Sequence, residues 1–207
     1  MLVRYEAART AVATHLTKGR KSILTDVLAD LARKLRQSDT SDYKKTNHKL
    51  CTDAIEAFQA AEKKMGIGTI KFRAPRVGST RLKIAGVSVS VSLDLMTETT
   101  GADGNKVIGG TVLVFSKSGG PEKNVATRCQ AIAILIRKFL EDSLSNGEVC
   151  DPTMCIAVDI FGGKFYRANT HQKRVLKAVT ISCEDVTALW PTIKPPANYN
   201  GPPIPKI

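Results

Sequence analysis

Two residues of this chain could do chemistry by type: Asp94, a carboxylate, and Lys117, a cation placed where an anion could bind. Asp94 lies on the polar face of a run in which Val87, Val89, Val91, Leu93 and Leu95 alternate with Ser88, Ser90, Ser92 and Asp94. That is the period-two pattern of a half-buried strand, and it gives Asp94 a plainer reading as a polar residue at a strand end before a turn. Lys117 stands between Ser116 and Ser118, ahead of Gly119, Gly120 and a helix start at Pro121–Glu122. Backbone N–H groups at such a start favour an anion, although the GxxxxGK[ST] spacing of a phosphate loop is absent. Asp159, in the apolar run Met154–Phe161, is a third isolated acid whose plainer reading is a strand carboxylate paired with a cation. His15, His48 and His171 lie far apart, with no Cys or Asp at relay or zinc-ligand spacing, so surface or capping roles are expected. The five cysteines, Cys51, Cys129, Cys150, Cys155 and Cys183, include no CxxC pair, and Cys150 and Cys155 have no partners at zinc-finger distance. Reduced thiols are expected, with Cys129 and Cys183 buried.

Charge supplies a broader signal. The 207 residues carry a net charge of +12, and the excess is uneven: residues 1–83 hold 18 Lys/Arg against 8 Asp/Glu, residues 84–207 hold 13 against 11. A basic block of this kind favours an anionic partner, most often nucleic acid, because each neutralised phosphate releases counterions. The candidate contacts are Lys18, Arg20, Lys21, Arg33, Lys34, Arg36, Lys44, Lys45 and Lys49 in the N-terminal region, and Arg167, Lys173 and Arg174 further on. Phe165 and Tyr166 beside Arg167 add rings on which a base could stack. For each set the plainer alternative is a solvated face or a strand edge with snorkelling cations.

The elements that must position these residues follow from periodicity. Helices are expected over 3–18, 22–36 and 43–65, with Tyr5, Ala8, Val12 and Leu16 on one face of the first, Ser22 as N-cap of the second, and Gly19 and Gly66 as stops. The short link at Gly19 also fits a helix-turn-helix, but no recognition helix is discernible. Ile70–Pro75 alternates as a strand, GADGN (Gly101–Asn105) turns the chain, and Lys106–Phe115 returns antiparallel to Val87–Leu95. A helix over 122–144 presents Val125, Cys129, Ile132, Ile136, Phe139 and Leu140 to the sheet. Met154–Phe161 reads as a central strand, Gly162–Gly163 as a two-residue turn into Lys164–Ala168, and 183–189 as a short helix before Trp190, a core plug. The expectation is an α+β or α/β protein with a central mixed sheet of four to six strands and a long helix packed on it. It divides into a basic helical region (1–67), an α/β core (68–193) and a Pro-rich tail (194–207).

The order helix, three strands, helix, strand, with Asp94 late in one strand and Lys117 closing the next, resembles the PD-(D/E)XK nuclease-like fold over about residues 54–168. The resemblance implies an Asp and a downstream acidic-x-Lys pair around a divalent cation, with Asp94 and Lys117 as catalytic residues and Asp94 with Glu56, or Glu62, as Mg²⁺ ligands. The chain departs from that pattern where Phe115 stands two before Lys117 and Gly110–Lys117 contains no carboxylate. A nuclease scaffold used for binding is therefore expected. The leading reading is an intracellular, cytoplasmic nucleic-acid or nucleoprotein-binding accessory protein of phage, mobile-element or defence type, without a cofactor. The alternatives are an Mg²⁺-dependent nuclease with a displaced acidic ligand and a protein-interaction or regulatory module. No signal peptide and no membrane span are expected.

Overall fold

The computed structural model describes residues 4–19, 22–37, 41–75, 81–101, 103–116, 122–143, 148–168 and 172–193. Three helices come first: α1 (Glu6–Lys18), α2 (Ser22–Leu35) and α3 (Asp42–Met65). Their apolar faces have the spacing that the sequence announces, with Ala8, Ala11, Val12 and His15 buried on α1, Leu24 and Leu31 on α2, and Ala54, Ile55, Phe58 and Met65 on α3. Gly19 and Gly66 end α1 and α3 at φ 63° and 65°, a left-handed conformation that costs glycine nothing.

The Val87–Leu95 alternation divides between two sheets. Strands β2 (Arg81–Ile84) and β3 (Val87–Ser90) pair as a hairpin of their own, while β4 (Leu95–Thr100) pairs with β5 (Lys106–Val114) across the Gly101–Asn105 turn. The cause is the link between β2 and β3. Ala85 and Gly86 both take positive φ, 45° and 83°, the two-residue turn whose twist matches that of a hairpin, and this commits Val87–Ser90 to β2. The GADGN turn therefore closes the expected hairpin with Leu95–Thr100, and only Leu95 of the expected first strand takes part.

Among the described residues the main sheet has six strands. β1 (Phe72–Arg73), shorter than the expected Ile70–Pro75, lies on the outer side of β4; β5 follows, then β7 (Ile156–Asp159) and β8 (Lys164–Arg167). β6 (Glu148–Cys150) runs parallel to β5 along Lys106–Ile108, and β7 runs parallel to it along Thr111–Val114, so β5 serves two partners in tandem on one side. The other pairings are antiparallel, which makes the sheet mixed. β7 and β8 are joined by Ile160–Gly163, four residues where two are expected, because Asp159 pairs with Lys164 and its Oδ1 accepts the Gly162 N–H at 3.0 Å.

Both faces of the sheet are covered. Leu95, Leu113, Ile156 and Val158 pack with α1, α2 and α3 in one core, whereas Met96, Ile108, Val114 and Ala157 pack with α4 (Glu122–Asp142) in another. The alternate residues of each strand supply the two cores, as a strand's geometry requires. The helical region 1–67 and the segment 68–193 thus share one apolar core. The last helix, α5 (Gln172–Leu189), begins eleven residues before the expected Cys183 start, with Cys183 buried in mid-helix. Among the described residues no helix is long and apolar enough to cross a membrane, and the Pro-rich tail 194–207 lies outside them.

Candidate functional site

Asp94 occupies the bend just before β4, where its own N–H bonds the Thr111 carbonyl at 2.9 Å. Its side chain is 10% exposed, and both carboxylate oxygens are engaged. Arg9 Nη1 of α1 lies 2.7 Å from Oδ1 and 2.6 Å from Oδ2, and the Leu113 N–H of β5 donates to Oδ2 at 2.7 Å. The guanidinium of Arg9 sits 5.0 Å from the Phe115 ring centroid, and Tyr5 stacks on the same ring with centroids 5.4 Å apart. Phe115 therefore supports the cation that neutralises Asp94. In this arrangement Asp94 fastens the helical layer to the sheet. A metal ion would have to displace Arg9.

Glu56 is exposed on α3, and Glu62 faces His15. Among the described residues no group of three or more His, Cys, Asp or Glu side chains is placed to hold a metal ion. Lys117 lies outside the described residues, as do Arg20 and Lys21. Asp159 is buried, and where a paired cation was expected its carboxylate accepts the Gly162 N–H of its own turn.

The remaining cations divide into groups. Lys18, at the end of α1, is exposed, as are Lys63 and Lys64 at the end of α3. Arg33 and Lys34 lie in the last turn of α2 with Arg36 just after it, and Lys44 and Lys45 lie in the first turn of α3, so these five lie toward the other end of the helical layer. The 14 residues of α2 put about 20 Å between the two groups. Arg33 and Lys34 share Asp30, at 2.5 and 2.6 Å, and the Lys34 and then the Arg33 contact hold the Asp30 carboxyl below its ordinary range. Lys18, Arg36, Lys44, Lys45 and Lys49 have no ion pair to a described residue.

Arg167, Lys173 and Arg174 are exposed on β8 and the first turn of α5. The rings expected to stack a base are otherwise engaged. Phe165 packs against the core under α1–α3 and Tyr166 against that under α4, with the Arg167 guanidinium 5.1 Å from the Phe165 centroid.

Sequence reasoning missed a cleft of about 490 Å³ where the end of α1, the start of α2 and the end of α3 meet, lined by His15, Thr25, Gln59, Glu62, Lys63 and Thr69 among others. His15 is 4% exposed, with Nε2 2.8 Å from Glu62 Oε1 and its ring edge-on to Phe58. The expected surface role for His15 is thus corrected. The available signal was its register: His15 follows Ala8, Ala11 and Val12 at spacings of three and four, on the buried face of α1.

Family models, curated proteins and solved structures all give no significant similarity to the chain.

Proposed function

We propose that the protein binds nucleic acid through its phosphate backbone, using the basic helical layer, on a nuclease-like scaffold that does not hydrolyse its ligand. The observation that carries this reading is the charge excess of residues 1–83, 18 Lys/Arg against 8 Asp/Glu, part of which stands as exposed or half-buried side chains at the ends of α1–α3. Exposed cations without carboxylate partners retain their full attraction for a polyanion, and a separation of about 20 Å is close to six base steps of duplex at 3.4 Å per step. Hydrolysis is disfavoured because the Asp94 oxygens are spent on Arg9 and the Leu113 N–H. On this reading α3, β1, the β4–β5 hairpin, α4 and the parallel β7 are the scaffold, and the β2–β3 hairpin is an insertion before β4.

The test is a titration of single-stranded and duplex DNA and RNA at two salt concentrations, with Mg²⁺, Mn²⁺ or EDTA. Binding should weaken steeply with salt and be indifferent to the metal. Replacing Arg36, Lys44 and Lys45 by Glu should lower the log–log salt slope by about 0.9 for each duplex phosphate that is no longer neutralised. A salt-insensitive interaction, or no binding at low salt, refutes the reading. Metal-dependent cleavage abolished by Asp94→Ala would establish the nuclease alternative instead.

A further inference from the structure

We propose that Cys150 and Cys155 form a redox pair, with Cys150 as the site that reacts with a hydroperoxide and Cys155 as the thiol that closes the disulfide. Their sulfurs lie 3.5 Å apart as free thiols. A disulfide bond is about 2.05 Å long, so closure needs about 1.5 Å of movement, the scale of small side-chain rotations.

The backbone around them is already fixed in the shape that keeps the two thiols facing each other. Cys150 ends β6 opposite Ile108, and the next N–H, of Asp151, bonds the Ile108 carbonyl at 3.0 Å. The intervening turn, Pro152–Met154, is capped by Asp151, whose Oδ1 accepts the Thr153 N–H at 2.7 Å and the Thr153 hydroxyl at 2.8 Å. The Cys155 N–H reaches the Pro152 carbonyl at 3.2 Å, and the Cys155 carbonyl accepts the Ala168 N–H at 2.9 Å. Both cysteines are therefore anchored on the sheet, with a short, hydrogen-bonded turn between them.

The two thiols are unequal, which assigns their roles. Cys155 is fully buried, whereas Cys150 is partly exposed and is the one that a small oxidant can meet. The contact between the two sulfurs holds the Cys150 thiol below its ordinary value against the opposing effect of burial, while the same contact, with burial, pushes Cys155 far up; the Cys155 S–H also lies 3.5 Å from the Asp151 carbonyl oxygen, which can accept it. Arg137 of α4 also favours the Cys150 thiolate; Glu141 of α4 and Asp151 oppose it. The thiolate is the nucleophile, so the first step belongs to Cys150.

In that step the Cys150 sulfur attacks the outer oxygen of the hydroperoxide. An S–O bond forms, the O–O bond breaks, and the departing alkoxide or hydroxide takes up a proton. The Cys155 sulfur then attacks the sulfenic sulfur of Cys150: the S–S bond forms, the S–O bond breaks, and hydroxide leaves with the Cys155 proton as water. Two thiols lose two electrons in all, and one hydroperoxide is reduced to an alcohol, or water, plus water. The product ties the end of β6 to the residue preceding β7, across the interruption between the two partners of β5.

A single peptide reports the outcome, because trypsin cuts after Lys138 and Lys164 and leaves both cysteines in Phe139–Lys164. The folded protein is treated with hydrogen peroxide, remaining thiols are alkylated, and the digest is weighed. That peptide should lose two hydrogens, about 2 Da, carry no alkyl group, and regain two alkylatable thiols after reduction. Oxidation of Met154 adds an oxygen and is distinguished by mass. In Cys155→Ser, dimedone should label Cys150; in Cys150→Ser, Cys155 should stay unlabelled. Retention of two alkylated thiols in the wild-type peptide after peroxide treatment overturns the pair, and the wild-type measurement requires no variant to fold. Dimedone labelling of Cys155 ahead of Cys150 overturns the assignment of roles.

Discussion

Asp94→Ala tests whether this carboxylate is a fastening or a reactive group. The substitution leaves the Leu113 N–H without its acceptor, and Leu113 is fully buried. An unpaired buried donor costs about 1–3 kcal/mol. The Arg9 side chain is 37% exposed, so it recovers hydration and the missing ion pair adds about 0.5–1 kcal/mol. Together these give a destabilisation of about 1.5–4 kcal/mol, which for a chain of this size lowers the melting midpoint by about 3–16 °C. Arg9→Ala should cost about 2–4 kcal/mol: Asp94 keeps its bond to Leu113, but its nearly buried carboxylate loses its counter-charge and the Phe115 ring loses its cation. Urea unfolding of the wild type, both single variants and the double variant gives the coupling between the two residues, expected at about 1 kcal/mol. An unchanged or raised stability in Asp94→Ala would refute this reasoning. Polar residues held for catalysis are often released with a gain in stability, so that result would point back to a reactive Asp94.

Two other perturbations bear on the sheet. A Cβ added at Gly109 would overlap the Met154 Cβ and carbonyl oxygen and Thr97 Oγ1, so Gly109→Ala should cost about 1–3 kcal/mol or more in denaturant unfolding; a neutral result would mean that the Pro152–Met154 turn moves freely off β5. Burial, followed by the nearby Asp159, pushes the Cys129 thiol up from its ordinary value of 9.0 to about 11, and Arg128 pulls it slightly down. The protonated thiol is thus favoured in the folded state. Its contribution is complete below pH 9 and is lost as pH rises to 11, by up to about 2–3 kcal/mol. Cys129→Ala should remove that part of the alkaline decline, and an identical pH profile in the variant would count against it.

The helices were legible because their apolar residues recur at three and four and glycine stands at the ends of α1 and α3. The GADGN turn was legible because its residues accept positive φ. The Ala85–Gly86 turn was not, since alanine at φ 45° carries no turn signal, and the alternation it interrupts continues unbroken through Leu95. α5 was found only in its last third because Val175, Val179, Thr180 and Ile181 have the branched side chains of a strand, and packing decides against their local preference. At the candidate site, Asp94 and Phe115 could be named from the sequence, but Arg9 could not. It lies 85 residues from Asp94, and only the docking of α1 on the sheet brings the two together.

The shared core of the helical layer and the sheet has a consequence for how the chain is made. Residues from Ala8 to Met65 contribute one side of that core, and Leu95, Leu113, Ile156, Val158 and Ile160 contribute the other. During synthesis, α1–α3 emerge well before the strands that cover them, and at about 5–20 residues per second their apolar surface waits about 5–20 s for Ile160. The net positive charge of that segment then has a second use, because chains of like charge that come into contact repel one another while their apolar faces are uncovered.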